Sequence, residues 1–556
     1  MNPNVTPLRR RAITAATATL TALATVASIA VMTTVSSSPS QASTSTVTTD
    51  VDPTAPVVPT LPTGAATDAP SVTDPASVTP PATAATESAQ PVTVGSMDDI
   101  TNIVFVLADD LDWALFDQIP RLAALKDEGM TFTNHTVTDS LCCPSRTSIL
   151  RSQYIHNHRV ISNVVESGGG WTTFKALGEQ RDCLPVWLKS AGVETALFGK
   201  YLNEYTVDSP KDRAVPPGWD KWAVPMAGAR PYSGYNYTLN TNGRLRDYGK
   251  TPDDFLNDVI TGQAASFVRT AADGFFLELS TYTPHKPAPV AVRNASTHLT
   301  AVAPRTPNYN AYGTNEPTWL RKLTPISPWK QEGLDRLWRQ RAQSAESVAD
   351  SIDAVRAELV TTGRAANTLI VVTSDNGYHA GSHRMRQGKR TAFREDTVVP
   401  LVVIGPGIAP GSRVDAMTST IDLAPTFTDL MSASAPAWID GRSLTPILRT
   451  GSAPTDWRTA SLSESMGRAT PKDPDYQPGA PPQFSALRTP QWLFVVYRDG
   501  ERELYDLAND PYEMNNVVST TDPTFVSGLY SQLQAMRSCS GPSCRTADSI
   551  VVNSAR

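Results

Sequence analysis

Acidic and amide side chains follow two strongly apolar segments of the sequence, at the point where each segment ends. Asp109 and Asp110 come directly after the apolar run 103–108, and Asp375 and Asn376 follow the run 369–373. Open α/β sheets bind ligands at the carboxyl ends of their strands, so these side chains are candidates for one site. Carboxylate and amide oxygens are hard ligands, which suit calcium better than zinc or copper. The sequence therefore predicts a calcium site at the ends of two strands.

Each of these two pairs of residues also has a simpler interpretation. Asp109 and Asp110 could cap the amino end of a helix over 111–119. The segment Asp375-Asn376-Gly377, taken alone, would form an ordinary turn.

The composition narrows the class of protein. The chain has 556 residues, of which 40% are hydrophobic, and this apolar share excludes disorder throughout. A net charge of -6 argues against a nucleic-acid binder, which would carry a basic surface. There is no CxxC pair, HExxH helix or GxSxG turn, so zinc sites and α/β-hydrolase chemistry lack support.

The apolar runs predict the architecture. Runs 103–108 and 369–373 are typical of parallel strands buried on both faces, and 399–404 resembles a third. A helical pattern covers 331–360, so strands alternate with helices and predict a parallel α/β sheet with helices on both faces. Segments 492–497 and 503–505 flank Asp499-Gly500, which predicts a hairpin in a small C-terminal antiparallel-sheet subdomain.

The first hundred residues differ from the rest in composition. Arg9, Arg10 and Arg11 precede an apolar stretch over 12–35 and a small-residue cleavage site, as in a secretory signal peptide; an uncleaved membrane anchor is the alternative. We predict a signal peptide over 1–42, a disordered Thr/Pro/Ala-rich linker over 43–97, a catalytic domain over 98–450 and a C-terminal subdomain over 451–556. The protein is then exported, and either secreted or retained at the cell envelope.

The most specific motif is Cys142-Cys143-Pro144-Ser145-Arg146. It matches the pattern C-x-P-S-R, and through it the sequence resembles the type I sulfatases. Further blocks that are similar to this family follow in the family's order, at 102–110, 199–205, 283–287, 374–379, 389–390 and 503–507.

The resemblance implies a fold, a modification and a set of site residues. The fold would be an alkaline-phosphatase-like α/β/α sandwich with a mostly parallel central sheet. A formylglycine-generating enzyme would oxidise Cys142 to formylglycine, whose hydrate supplies the attacking hydroxyl. The implied catalytic residues are Cys142, Arg146, Lys200, His285 and Lys389. The implied calcium ligands are Asp109, Asp110, Cys142, Asp375 and Asn376.

Charge and chemistry agree with these roles. Calcium would polarise the sulfate oxygens, and Arg146, Lys200 and Lys389 would stabilise developing negative charge. His285 would protonate the leaving alcohol. The alternatives are a buried thiol at Cys142, a structural loop histidine at His285 and a solvated charge at Lys389. His135, His156 and His158 are assigned no catalytic part.

A narrower resemblance connects the sequence with the N-acetylglucosamine-6-sulfatases. It rests on segments 154–158, 199–205, 216–219, 303–305 and 313–315. The implied substrate is a sulfated carbohydrate that contains N-acetylglucosamine 6-sulfate units. The competing functions are an arylsulfatase, a phosphonate or phosphodiester hydrolase of the same superfamily, and a secreted glycan-binding protein without catalysis.

One position departs from the pattern of many arylsulfatases, which carry a histidine where this chain has Leu202. Asn203, His379 and His383 are candidates to replace it, and the glucosamine-6-sulfatase pattern has the same leucine. Two further expectations concern disulfides: Cys539 and Cys544 are close enough to pair, and Cys143 with Cys183 is an open possibility.

Overall fold

The computed structural model describes residues 95–206, 215–228, 230–468, 470–471, 473, 475–476 and 479–553. The predicted signal peptide and nearly all of the predicted linker lie outside these residues. Among the helices described, none combines the length and the apolar character needed to cross a lipid bilayer.

The strands are β1 (Asn102–Ala108), β2 (Met130–Thr136), β3 (Glu194–Gly199), β4 (Lys221–Pro225), β5 (Thr238–Thr241), β6 (Arg244–Asp247), β7 (Phe275–Ser280), β8 (Thr368–Ser374), β9 (His379–Ala380), β10 (Gln387–Gly388), β11 (Leu401–Ile404), β12 (Ser412–Ser419), β13 (Ser461–Ser465), β14 (Phe484–Arg488), β15 (Trp492–Tyr497) and β16 (Arg502–Asp506).

The α-helices are α1 (Trp113–Gln118), α2 (Pro120–Glu128), α3 (Cys142–Arg151), α4 (Ile155–His158), α5 (Gly170–Ala176), α6 (Leu184–Ser190), α7 (Leu256–Thr270), α8 (Thr318–Arg321), α9 (Pro328–Thr361), α10 (Arg394–Thr397), α11 (Leu423–Leu430), α12 (Thr445–Thr450), α13 (Pro523–Arg537) and α14 (Pro542–Ala547).

A mixed sheet of ten strands forms the centre, in the order β12-β2-β11-β8-β1-β7-β3-β4-β5-β6. Strand β1 lies between β7 and β8 and is parallel to both, so its carboxyl end adjoins theirs. The two apolar runs at 103–108 and 369–373 are therefore neighbouring parallel strands, which confirms the prediction for these strands. At one edge of the sheet, β5 is antiparallel to both of its neighbours, β4 and β6.

The third apolar run differs from the expectation. Its strand, β11, is antiparallel to both of its neighbours, β8 and β2. Residues 375–400 contain only short elements between β8 and β11. For two successive strands to be parallel, the chain must cross back to the end of the sheet where the first strand began. Such a crossover takes a dozen or more residues and usually contains a helix, and this connection contains no helix of that length.

Helices cover both faces of the sheet. Along β1, Val104 and Val106 pack into one apolar cluster, whereas Ile103 and Phe105 pack into the cluster on the other face. This alternation is the two-residue period of a strand buried on both sides. Helices α7 and α9 contribute to the first cluster and α6, α11 and α12 to the second, which confirms the α/β/α sandwich and the helix predicted over 331–360.

A separate antiparallel sheet, in the order β13-β14-β15-β16, lies towards the C-terminus. Strands β15 and β16 form the predicted hairpin, and Gly500 in its turn has a φ of 93°, which favours glycine. The predicted disulfide between Cys539 and Cys544 is present, whereas Cys143 and Cys183 are separate buried thiols. The domain boundaries given above stay predictions.

Arg458 links the part of the chain after residue 450 to the core through a buried ion pair. Its guanidinium donates to both carboxylate oxygens of Asp422 at 2.6 and 2.7 Å, and neither side chain is exposed. Removing one partner leaves an uncompensated buried charge, so we expect Arg458→Ala to lower the free energy of unfolding by about 3–5 kcal/mol. The measurement is urea unfolding. Arg413→Ala is the control, since its pair with Asp415 is about two-thirds exposed, and its loss should cost less than about 1 kcal/mol. Equal losses in the two variants would contradict the prediction.

Glu503 predicts a pH dependence of stability. Its carboxyl accepts hydrogen bonds from the hydroxyls of Tyr497 and Tyr505, but burial dominates and raises its pKa from 4.5 to about 7. The fold therefore favours the neutral acid: its contribution is full below pH 4.5 and is lost as the pH rises through about 7. We expect the free energy of unfolding of the wild type to fall over this interval more steeply than that of Glu503→Gln. Parallel pH profiles of the two proteins in urea unfolding would show the expectation to be wrong.

Candidate active site

The acidic turns after β1 and β8 meet, as their parallel pairing requires. The backbone N–H of Asp110 donates to Oδ1 of Asp375 at 3.2 Å, and Nδ2 of Asn376 donates to Oδ1 of Asp110 at 2.7 Å. Asp110 has a φ of 65°, a conformation in which the chain turns sharply after the strand. Asp109, Asp110, Asp375 and Asn376 are all fully buried.

The capping interpretation of Asp109 and Asp110 is wrong. The residue that caps helix α1 is Asp112, whose Oδ1 accepts from the N–H of Leu115 at 3.0 Å. The carboxylate of Asp112 also contacts the guanidinium of Arg341 at 3.1 Å. Asp109 and Asp110 therefore do not cap the amino end of this helix.

Cys142 is the first residue of α3, and its side chain points to the acidic turns. Its Sγ lies 3.4 Å from Oδ1 of Asp109 and 2.8 Å from Nζ of Lys389. The side chain is fully buried, and burial raises the pKa of the thiol well above its usual range. The helix presents its positive amino end at this position.

Three buried cations surround the same point. Arg146, one turn along α3, donates from Nε to Oδ2 of Asp375 at 2.7 Å. Nζ of Lys200 donates to Oδ2 of Asp109 at 2.6 Å, and Nζ of Lys389 donates to Oδ1 of Asp110 at 2.7 Å. Burial would raise the pKa of Asp375, but Arg146 and Lys200 outweigh it and hold this pKa far below its usual range.

His285 lies in the loop after β7 and faces the acids. Its Nε2 is 3.1 Å from Oδ1 of Asp475 and 3.6 Å from Oδ2 of Asp110. Burial lowers the pKa of the imidazole, but the carboxylates of Asp110, Asp109 and Asp475 outweigh burial and raise it. Its Nδ1 contacts the carbonyl of Lys286, so the backbone contact expected of a structural loop histidine is present as well.

Asp475 is a site residue that no pattern in the sequence indicated. Its Oδ2 lies 3.1 Å from Nζ of Lys389, accepts from Nδ2 of Asn163 at 2.9 Å and approaches Sγ of Cys142 at 4.0 Å. Asp475 is 333 residues from Cys142 in the chain and belongs to none of the family blocks. No local pattern around it could have indicated the contact. Tyr232 was missed for the same reason; its ring centroid is 4.5 Å from that of His285.

The residues at this point fit a hard cation. Asp109, Asp110, Cys142 and His285 offer ligand atoms that lie within 4.8 Å of one another. Oδ2 of Asp110 and Oδ1 of Asn376 are buried without a hydrogen-bond partner in the described part of the chain. Unpaired buried oxygens are costly, and calcium coordinates such oxygens. Asp375 is not among these four residues, and its two oxygens accept hydrogen bonds from Asp110 and Arg146.

Leu202 stands where many arylsulfatases carry a histidine, and three other residues were candidates for the role of that histidine. None of the three forms a hydrogen bond with Cys142 among the residues that the structure describes. His379 pairs with Asp396 at 2.9 Å, and the ring of His383 stacks on Phe393. Nδ2 of Asn203 contacts the hydroxyl of Tyr232 at 3.4 Å. Leu202 itself packs into an apolar cluster against the sheet.

The histidines that we assigned no catalytic part bond elsewhere. Nδ1 of His135 contacts Thr418, Nε2 of His158 contacts Ser148, and Nδ1 of His156 contacts Glu464.

Comparison with known proteins identifies the family. The model of the sulfatase family matches residues 101–433. This chain belongs to the sulfatase family. A second model, for the C-terminal part of N-sulphoglucosamine sulphohydrolase, matches residues 381–538 of the sulfatase. Membership identifies an enzyme, a sulfuric ester hydrolase, rather than a glycan-binding protein without catalysis.

Two similar proteins are N-acetylglucosamine-6-sulfatases. The sulfatase is 34% identical to the protein of Capra hircus over 477 residues, which is 80% of this chain and 85% of the relative. The protein of Homo sapiens is also 34% identical over 477 residues, 80% of this chain and 86% of the relative.

Solved structures share the fold. A structure in complex with its substrate D-glucosamine-2-N,6-O-disulfate has a TM-score of 0.67 and 21% identity, over 81% of this chain and 99% of that chain. A phosphonate monoester hydrolase from Silicibacter pomeroyi has a TM-score of 0.59 and 25% identity, over 78% of this chain and 94% of that chain. The alkaline-phosphatase-like fold predicted for the sulfatase is confirmed.

Proposed function

We propose that this sulfatase removes sulfate from O6 of glucosamine units in a sulfated carbohydrate. The observation that carries the proposal is the position of Cys142, whose Sγ lies between Nζ of Lys389 and the carboxylate of Asp109. A sulfate ester at this point would meet a nucleophile, fixed positive charge and hard oxygen ligands together. The names of the goat and human relatives support the sugar and the O6 position.

Cys142 would act as formylglycine, made by a formylglycine-generating enzyme before the protein is active. The hydrated aldehyde supplies one hydroxyl for attack on sulfur and a second for the release of sulfate. The buried thiol is a poor substitute, because burial raises its pKa and so disfavours the thiolate. Modification of this residue is therefore a requirement of the proposal.

Asp109, Asp110, Asp375, Asn376 and the modified Cys142 would hold calcium. Bound calcium supplies positive charge that polarises the sulfate oxygens and favours an ionised hydroxyl. Lys200 and Lys389 contact Asp109 and Asp110 at 2.6 and 2.7 Å, and their ammonium groups would stabilise negative charge on a sulfate held at this point. Arg146 orients Asp375 through its 2.7 Å contact.

His285 would donate a proton to the leaving O6. Three carboxylates raise its pKa, so the protonated form is available near neutral pH. Asp475 contacts Nε2 of the ring and would orient it, in addition to its contact with Lys389. The proton leaves His285 as the S–O bond breaks, and the released alcohol carries it away.

Export is part of the proposal. The Cys539–Cys544 disulfide supports it, since disulfides persist in oxidising compartments outside the cytosol. We also propose the predicted division at residue 450, with the C-terminal part supplying Asp475 to the site.

The test of the nucleophile uses Cys142 directly. Mass spectrometry of the peptide that contains Cys142 should show an aldehyde in place of the thiol, and Cys142→Ala should lose hydrolysis of N-acetylglucosamine 6-sulfate by about 10³-fold or more. Cys183→Ala is the matched control, because Cys183 is also a buried free thiol and its Sγ contacts only Gln180 among the bonds described. Activity on aryl sulfates alone would contradict the proposed substrate.

The calcium site can be tested by removing the metal ion from the protein and adding it back. Chelation should abolish activity and lower the melting temperature, and calcium should restore both more fully than zinc, since the ligands are hard oxygens. Asp375→Asn should weaken calcium binding in calorimetry, whereas Asp415→Asn, at an exposed acid that pairs with Arg413, should not. Full activity after exhaustive chelation would refute the calcium site.

A phosphonate or phosphodiester hydrolase is the second candidate, favoured by the fold shared with the phosphonate monoester hydrolase. Rates on sulfate and phosphonate esters of the same alcohol decide between the two.

A further inference from the structure

Three adjoining cavities extend from the active site. The first has Lys389 and Asp475 in its wall. It shares Arg390 and residues 479–481 with a second cavity of about 580 Å³, which in turn shares Gln483 and Arg498 with a third of about 490 Å³. Volumes of this size are typical of ligand sites. The third cavity lies over the C-terminal sheet, since its wall includes residues of β13, β14 and β15.

Cations without carboxylate partners occur along this series. We call them the cationic track: Lys322, Lys330 and Arg386 form its near end in the first cavity, and Arg498, Arg502 and Arg537 form its far end in the third. Within the described residues, none of the six pairs with a carboxylate. Arg502 and Lys330 instead lie over the rings of Tyr530 and Trp329, at 4.6 and 5.3 Å.

The carboxylates in these walls do not neutralise the track. Asp475 is paired with Lys389 and His285, and Glu464 is paired with His156. Asp499 is the remaining one among the described wall residues. The chain as a whole carries a net charge of -6, so the track is a local positive surface on an acidic protein. Such a surface attracts an anionic ligand by electrostatic focusing.

We propose that the cationic track binds the chain of a sulfated polysaccharide beyond the unit whose sulfate is removed. This rests on the proposed function and extends it from a single sugar to a polyanionic glycan. Guanidinium groups bind sulfate and carboxylate groups through paired hydrogen bonds, and both occur on such chains. Continuity with the active site favours the glycan over other polyanions, because the bound chain and the reacting unit then belong to one molecule.

The experiment compares substrates of two lengths. The far-end variant R498Q/R502Q/R537Q is assayed on N-acetylglucosamine 6-sulfate and on a sulfated oligosaccharide of glucosamine and uronic acid units. We expect its KM for the oligosaccharide to rise roughly tenfold, and that for the monosaccharide to change less than about twofold. The wild-type KM for the oligosaccharide should also rise with salt more steeply than that of the variant, because salt screens these contacts.

The control variant R244Q/R246Q/K250Q removes as many positive charges at and beside β6, away from all three cavities. It should behave as the wild type on both substrates. An equal KM for the oligosaccharide in the far-end and control variants overturns the proposal. Equal losses on both substrates in the far-end variant also overturn it, because the three arginines then have no selective effect on the longer chain.

Modified oligosaccharides identify the group that is bound. If removal of the outer sulfates, or reduction of the uronic acids, abolishes the difference between wild type and variant, that group is the ligand. A difference that persists on a neutral oligosaccharide, or duplex DNA that competes as strongly as the glycan, overturns the proposal. Failure of the wild type on the monosaccharide would refute the proposed function instead, and calorimetry of the oligosaccharide with the full chain would still test the track.

Discussion

Buried charges of both signs must balance at the carboxyl ends of β1 and β8, and this constraint governs the rest of the structure. Asp109, Asp110, Asp375 and Asp475 face Arg146, Lys200 and Lys389, and all seven side chains are at most 10% exposed. An isolated charge at such depth would cost several kcal/mol, so each carboxylate needs a cation at hydrogen-bond distance. Parallel pairing of β1 with β8 supplies the geometry, because it leaves the two acidic turns side by side.

The balance also explains how the site can accept an anion. With His285 protonated, the four carboxylates face four positive groups, so the charges of these side chains nearly cancel. A divalent cation would leave the site positive, and a sulfate ester would then be attracted rather than repelled. This near-cancellation keeps the buried cluster compatible with folding. In the proposed function, a bound calcium ion would supply the additional positive charge.

The part of the chain after residue 450 is integral to this arrangement. Asp475 reaches His285 and Lys389, and Arg458 forms a buried pair with Asp422 just before α11. The small antiparallel sheet therefore does more than cover the core. Its strands form part of the wall of the third cavity, where the far end of the cationic track lies.

Elements whose signal is local could be predicted from the amino-acid sequence. The apolar runs of β1 and β8 gave parallel strands, their terminal acids gave the ligand candidates, and the C-x-P-S-R motif singled out Cys142, because buried strands and short motifs are read from adjacent residues. Tertiary structure alone decided the antiparallel direction of β11, the choice of Asp112 rather than Asp109 or Asp110 as the cap of α1, and the approach of Asp475 to Cys142. These outcomes depend on where the chain returns in space after hundreds of residues, and no local pattern of residue types records that path.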